Sequence, residues 1–120
     1  MAEHNDLGNK GEELALDYLV DKGYKILETN WRFGKEEIDI IAINSKYLIV
    51  VEVKTRSTTY FGEPSDFVTK NKQRLLIKAT QAYIERYRIE QEARFDIISI
   101  VITSTKTDIT HLEDAFYSVL

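Results

Sequence analysis

The sequence predicts a mixed α/β domain in the element order α-β-β-β-α-β-β, and three observations point to it. A helical stripe of apolar residues opens the 120-residue chain. Two Ile- and Val-rich runs follow, separated by a short turn signal. A second helical stripe then leads into a run that is apolar on both faces, as expected of a strand inside a sheet covered by helices.

From Asp6 to about Lys22, Leu7, Gly11, Leu14, Ala15, Tyr18 and Leu19 fall on one side of a helix. Asp6 is its expected N-cap and Gly23 its stop. Tyr24–Trp31 carries Tyr24, Ile26 and Leu27 and reads as a strand, with Phe33-Gly34-Lys35 as the turn after it. Glu37–Ile43 and Tyr47–Lys54 are the better strands, joined across Asn44-Ser45-Lys46 as a hairpin. Thr55–Asp66 contains Gly62 and Pro64 and is expected to be a loop. Thr69 then opens a second helix to about Tyr87, with Leu75, Leu76, Ala79, Ala82 and Tyr83 facing inward. Phe95–Ile102 is the buried strand, and a last short strand is expected near Ile109–Leu112, ahead of Ala115-Phe116. With no repeat, linker or low-complexity run, residues 1–120 read as a single domain.

Composition narrows the class. A hydrophobic fraction of 43% and a charged fraction of 30% are those of a globular chain, and one proline argues against fibrous or disordered character. The absence of cysteine excludes disulfides and thiolate metal sites. The first residues, Met1-Ala2-Glu3-His4-Asn5-Asp6, are polar, and the apolar runs are far too short to span a bilayer, so a cytoplasmic protein without a membrane partner is expected. A net charge of −4 from 16 basic and 20 acidic residues argues mildly against nucleic acid. Acids gathered around a cation, and local clustering of Lys and Arg, soften that objection.

The chemistry concentrates in the hairpin. Residues two apart on a strand project from one face, so Glu52 and Lys54 point the same way. An even loop, such as Ser45-Lys46, sets Asp39 directly opposite Glu52, with β-carbons about 4.5–5.5 Å apart. Carboxylates that close repel unless a proton or a cation lies between them. Such an all-oxygen pair suits Mg²⁺, which commonly takes one or two carboxylates plus substrate phosphate. Lys54 beside them is placed to orient or deprotonate an attacking water, or to meet charge developing on phosphate. Glu12 lies at the border of the first helix's apolar stripe, within reach of the metal directly or through water, while Glu13 faces solvent. Gly8 and Gly11, poor helix formers, imply either a close approach to the helix backbone or packing against the sheet. Alone, the Glu52-Val53-Lys54 triplet is a weak signal; Asp39 in an isoleucine-rich strand is the more informative residue, being costly to bury unpaired. His4 and His111 lack metal-ligand spacing and are assigned no role.

These residues resemble the PD-(D/E)xK nuclease superfamily. More closely, the chain is similar to a bacterial family of small uncharacterised proteins related to archaeal Holliday-junction resolvases. The likeness runs through Gly8-x-x-Gly11-Glu12, Glu37-Ile38-Asp39-Ile40-Ile41-Ala42 and Val51-Glu52-Val53-Lys54-Thr55-Arg56. It continues through Phe61-Gly62-x-Pro64, Lys72-x-Arg74-Leu75, Arg94-Phe95-Asp96 and Ala115-Phe116. The resemblance implies a restriction-endonuclease-like (tRNA-endonuclease-like) mixed β-sheet flanked by helices. It implies Asp39 and Glu52 as ligands of Mg²⁺ or Mn²⁺, Lys54 as the catalytic lysine and Glu12 as the helix-borne acid. Lys72 matches a basic position facing the site or the phosphate backbone; Arg56 and Arg74 are the further nucleic-acid contacts. The family usually carries Gly where this chain has Glu36.

The function expected is metal-dependent hydrolysis of DNA phosphodiester bonds, in branched or damaged DNA. A non-catalytic nucleic-acid-binding module and a protein-interaction domain that has kept the fold are the alternatives. A homodimer fits an enzyme that cuts two symmetric strands, although no interface is legible.

Overall fold

The computed structural model describes residues 2–57 and 68–116, the first four of them by backbone alone. The loop expected around Gly62 and Pro64, and with it the Phe61-Gly62-x-Pro64 motif, lies outside the described residues.

Helix α1 runs Ala2–Asp21. It begins four residues before Asp6, which lies inside the helix and caps nothing. Ala2 and Glu3 are good helix formers, and propensity carries the helix past a residue that would otherwise start it. The other end stops where expected. Gly23 adopts φ +96°, and the Gly23 and Tyr24 N–H groups bond back to the Val20 and Leu19 carbonyls. This is the paired closure that a left-handed residue just past a helix permits.

Strand β1 (Lys25–Phe33) pairs antiparallel with β2 (Glu36–Ile43), which pairs antiparallel with β3 (Tyr47–Arg56). Helix α2 (Lys70–Tyr87) crosses over to β4 (Glu92–Ile102), which lies parallel to β3, and β5 (Thr107–Phe116) closes the sheet antiparallel to β4. The result is a five-stranded mixed sheet in the spatial order β1-β2-β3-β4-β5. Thr69 caps α2 by accepting the Lys72 N–H.

The strands outrun the hydrophobic pattern. Phe33 belongs to β1, so the turn is only Gly34-Lys35, with Gly34 at φ +62°. Thr55 and Arg56 continue β3 instead of opening the loop, because β4 pairs with them as far as Arg56↔Val101. β4 starts at Glu92, and β5 extends on both sides of Ile109–Leu112. Ladder hydrogen bonds come from the neighbouring strand and leave no mark in a single strand's own residues.

Two apolar layers cover the sheet. On one face, Ala15 and Leu19 of α1 pack on Ile40, Ala42, Ile49, Val51, Ile98 and Ile100. On the other, Leu76, Ile77, Ala79 and Tyr83 of α2 pack on Ile41, Leu48, Val50, Phe95 and Ile97. Fully burying one such side chain contributes roughly 1.5–3 kcal/mol. Leu75 does not face inward: it is 42% exposed, since the step of about 100° per residue carries it off the stripe of Leu76, Ala79 and Tyr83.

The β2–β3 hairpin sets up the site. Its ladder runs from Ile43↔Leu48 to Ile40↔Val51, and Asn44 N–H closes on the Tyr47 carbonyl at 3.0 Å. The loop is therefore Ser45-Lys46, an even number. Asn44 Oδ1 holds that turn by accepting the Lys46 and Tyr47 N–H groups. Past Ile40↔Val51 the strands part: β2 stays with β1 through Glu37 and Glu36, and β3 stays with β4.

Candidate active site

Asp39 and Glu52 are the first residues beyond the last β2–β3 pair, so they stand across the mouth of the split. Asp39 Oδ2 accepts the Val53 N–H at 2.8 Å, bridging the parted strands through its side chain. Glu52 is only 7% exposed. Val51 packs in the α1 layer and Val50 in the α2 layer, so alternation sends Glu52 and Lys54 to the α2 side. Lys54 Nζ lies 3.7 Å from Glu52 Oε2.

The Glu52 carboxyl disturbs Asp39. Burial first, then the negative charge of Glu52 and a hydrogen bond shared with its carboxyl, push Asp39 up to about 7 against the pull of the Val53 N–H. An acid held this far from its ordinary value in a cleft of charged groups marks a functional site more often than a structural one.

Glu12 arrives from the opposite face. α1 sits so close to β3 that a β-carbon at Gly11 would fall 1.8 Å from Thr55 Oγ1. The missing side chain at Gly11 thus lets the helix down onto the sheet and brings its neighbour Glu12 to the split. Gly8 meets nothing within 4 Å of such a β-carbon, so packing accounts for one of the two glycines only. Glu12 is half-buried, and its Oε1 accepts from Asn30 Nδ2 at 3.2 Å. Desolvation raises its pKa, the Asn30 amide opposes that, and the charges of Asp39 and Glu37 add to it.

Lys72, in the first turn of α2, pairs with Glu36. Burial pulls its ammonium down, but the hydrogen bond to Glu36 and the charges of Glu52, Glu36 and Asp39 outweigh that, and the net shift is upward. The basic position suggested by the sequence therefore lies within the field of the acidic pair. Arg56 is half-buried at the end of β3, and Arg74 is exposed on α2.

Asn30 was not evident from the sequence. It sits within β1 at φ +51°, a left-handed conformation that Asn tolerates better than most residues. An Asn inside a strand pattern was the available clue.

A second polar cluster joins residues whose spacing in the sequence does not link them. Buried Asp96 accepts from Arg94 Nε and Nη2, contacts His111 Nε2 at 2.7 Å and accepts the Asp114 N–H, while His111 Nδ1 meets the Tyr18 hydroxyl at 3.1 Å. Burial alone would raise Asp96, but His111, Arg94 and the Asp114 N–H bring it below the usual carboxylate range. The cluster ties α1 to β4 and β5.

Among the described residues, no three His, Asp or Glu side chains gather closely enough to cage a cation. A metal at the split would rest on Asp39 and Glu52, with water and substrate oxygens completing its shell. No described helix is long and apolar enough to cross a membrane.

The fold and site define a mixed α/β domain with an acid pair and a lysine at a sheet split. The chain belongs to the uncharacterised protein family UPF0102, whose profile matches residues 11–100. It is 53% identical to a UPF0102 protein of Flavobacterium psychrophilum over 117 residues, 98% of each chain. A UPF0102 protein of Phocaeicola vulgatus is 50% identical over 98% of this chain and 97% of its own length. One of Bacteroides thetaiotaomicron is 42% identical over 100% of this chain and 99% of its own.

Proposed function

We propose that the chain is a metal-dependent endonuclease that hydrolyses DNA phosphodiester bonds at the split between β2 and β3, on a restriction-endonuclease-like sheet. The observation that carries this reading is the pairing of half-buried Asp39 with buried Glu52, and the Lys54 ammonium 3.7 Å from Glu52. Two carboxylates drawn out of water side by side call for a proton or a cation between them. The donors are all oxygen, with no Cys in the chain, which suits a hard cation that keeps several waters, Mg²⁺ or Mn²⁺. Asp39 and Glu52 would hold it, and when bound it supplies neutralisation of the charge that develops on the phosphate oxygens.

The chain's own residues supply the rest. Lys54 Nζ, anchored by Glu52, orients the attacking water and donates toward the phosphate. Glu12, steadied by the Asn30 amide, accepts a hydrogen bond from water on the α1 side of the split. Lys72 exchanges the Glu36 carboxylate for a phosphate oxygen. Asp39, fixed by the Val53 N–H, keeps its orientation without help from substrate. A cytoplasmic protein, acting alone or as a two-fold dimer, belongs to the same proposal.

The test is incubation with supercoiled, single-stranded and four-way-junction DNA in Mg²⁺ or Mn²⁺. Cleavage that Asp39→Asn and Lys54→Ala each abolish is the expected result. Binding without such cleavage would replace the proposal with a non-catalytic nucleic-acid module. Absence of both would leave a protein-interaction domain.

A further inference from the structure

Two of the four large apolar side chains exposed among the described residues lie together. Phe33 is 39% exposed at the end of β1, and Leu75 is 42% exposed on α2. Both line one cavity of about 240 Å³, together with Gly34, Lys35, Glu36 and Lys78. Phe33 stacks nearly parallel on Trp31, with ring centroids 6.4 Å apart, and Trp31 meets Tyr83 edge-on at 5.1 Å. The exposed ring is thus held as the outer leaf of a rigid aromatic stack.

Two lysines and one carboxylate, Glu36, surround this apolar floor, and Glu36 is paired with Lys72. Lys35 and Lys78 stand at its rim, and neither has an ion-pair partner among the described residues. Residues 70–78 carry Lys70, Lys72, Arg74 and Lys78 with no acidic residue, in a chain of net charge −4. Lys72, Leu75 and Lys78 recur every three residues and form one line along α2. The cavity also joins the catalytic groups. Glu36 belongs to its wall and to the Lys72 pair, and Lys72 feels the charges of Glu52 and Asp39.

We propose that Phe33 and Leu75 form a stacking platform for one unpaired nucleobase, with Lys35, Lys72 and Lys78 holding the phosphates that flank it. This rests on reading the split as a nucleic-acid site and specifies its substrate: a strand unstacked beside the scissile phosphate, as in a single strand, flap or branch. A base in a continuous duplex keeps both faces covered by its neighbours and has none to offer Phe33. An unpaired base offers a full π-face, and every base has one, so stacking here is tolerant of sequence.

The experiment is fluorescence anisotropy on the full chain carrying Asp39→Asn, so that binding is read without cleavage. The probes are a labelled single strand, a blunt duplex and a splayed-arm duplex of the same sequence, at two salt concentrations. Adding Phe33→Ala is expected to weaken single-strand and splayed-arm binding by about tenfold. Duplex binding should change less than twofold, and Phe33→Trp should restore the loss. Circular dichroism confirms that each variant is folded. Equal loss on all three probes, or no loss on any, overturns the platform. So does a Phe33→Ala effect confined to self-association, which would make the face a protein interface. Cleavage of all DNA forms by the parent chain regardless of Phe33 leaves the endonuclease standing and removes the platform. Phe33-dependent strand binding without any cleavage does the reverse.

Discussion

Asp39→Asn should make the metal-free protein more stable while destroying the site. Asn keeps an oxygen for the Val53 N–H and offers Glu52 an amide donor in place of a second carboxyl. In the parent, the folded state holds Asp39 near 7 against an ordinary value of 3.8. The folded chain therefore binds the proton more tightly than the unfolded one. Its stability is fully present below about pH 4 and is lost as the pH rises through about 7. About three pH units at 1.36 kcal/mol each bound the cost near 4 kcal/mol at pH 8. Asp39 is only half-buried and is screened by solvent, so roughly 2 kcal/mol is the working figure. At about 2.1 cal/mol/K per residue, unfolding 120 residues carries about 0.25 kcal/mol/K, and the expected gain in Tm is roughly 8 °C. Thermal melts of both chains from pH 4 to pH 8.5 in chelator measure it. The curves should coincide near pH 4, separate between about pH 4 and pH 7, and run parallel above that. Millimolar Mg²⁺ or Mn²⁺ should raise the parent's Tm at pH 8 and leave the variant unmoved. A variant no more stable than the parent at pH 8, or a gap independent of pH, would refute the claim that the acid pair is held together at a cost.

Other perturbations separate packing from chemistry. Gly11→Ala drives a methyl into Thr55 and should cost about 1–3 kcal/mol, read by urea denaturation, with part of the loss recovered when Thr55→Ala is added. Gly8→Ala has open space and should instead stabilise by up to about 1 kcal/mol. Glu36→Gln releases Lys72 from its ion pair and should tighten DNA binding, with a steeper dependence on salt in titrations from 50 to 200 mM. Asp96→Asn leaves Arg94 and His111 without their buried anion and should cost about 3–5 kcal/mol of stability, seen as a lowered Tm.

The central geometry was legible because strands alternate. Glu52 and Lys54 share a face by parity, which counting residues gives; Asp39 stands across from Glu52 on the condition of an even loop, and the Ser45-Lys46 turn meets that condition. What stayed hidden depends on contacts remote in sequence. The left-handed Asn30 reaches Glu12 eighteen residues away, and His111 joins Asp96 and Tyr18 only after α1 packs on the sheet. Strand ends were misjudged for the same reason, since β3 is extended through Thr55 and Arg56 by β4. Leu75 looked like core because it adjoins Leu76, and hydrophobicity alone cannot tell a buried residue from its exposed neighbour one-third of a turn away. Gly8 was grouped with Gly11, although only Gly11 touches the sheet.

The acidic net charge was the strongest objection to a nucleic-acid role, and the location of the charges answers it. Glu12, Glu36, Glu37, Asp39 and Glu52 all lie around the split, where they shift one another or Lys72. Those five exceed the whole surplus of four acids. Cations collect instead along residues 70–78 and at Lys35; Lys72 reaches the split through Glu36, and Lys35 and Lys78 line the cavity beside Phe33. A polyanion meets the field nearest to it, not the sum over the molecule. A site that needs carboxylates for a cation and cations for a phosphate must hold both signs within a few residues. In so short a chain, that requirement alone moves the net charge by several units. The balance of −4 therefore records how many acids the split has gathered, and it does not weigh against a phosphate-bearing partner.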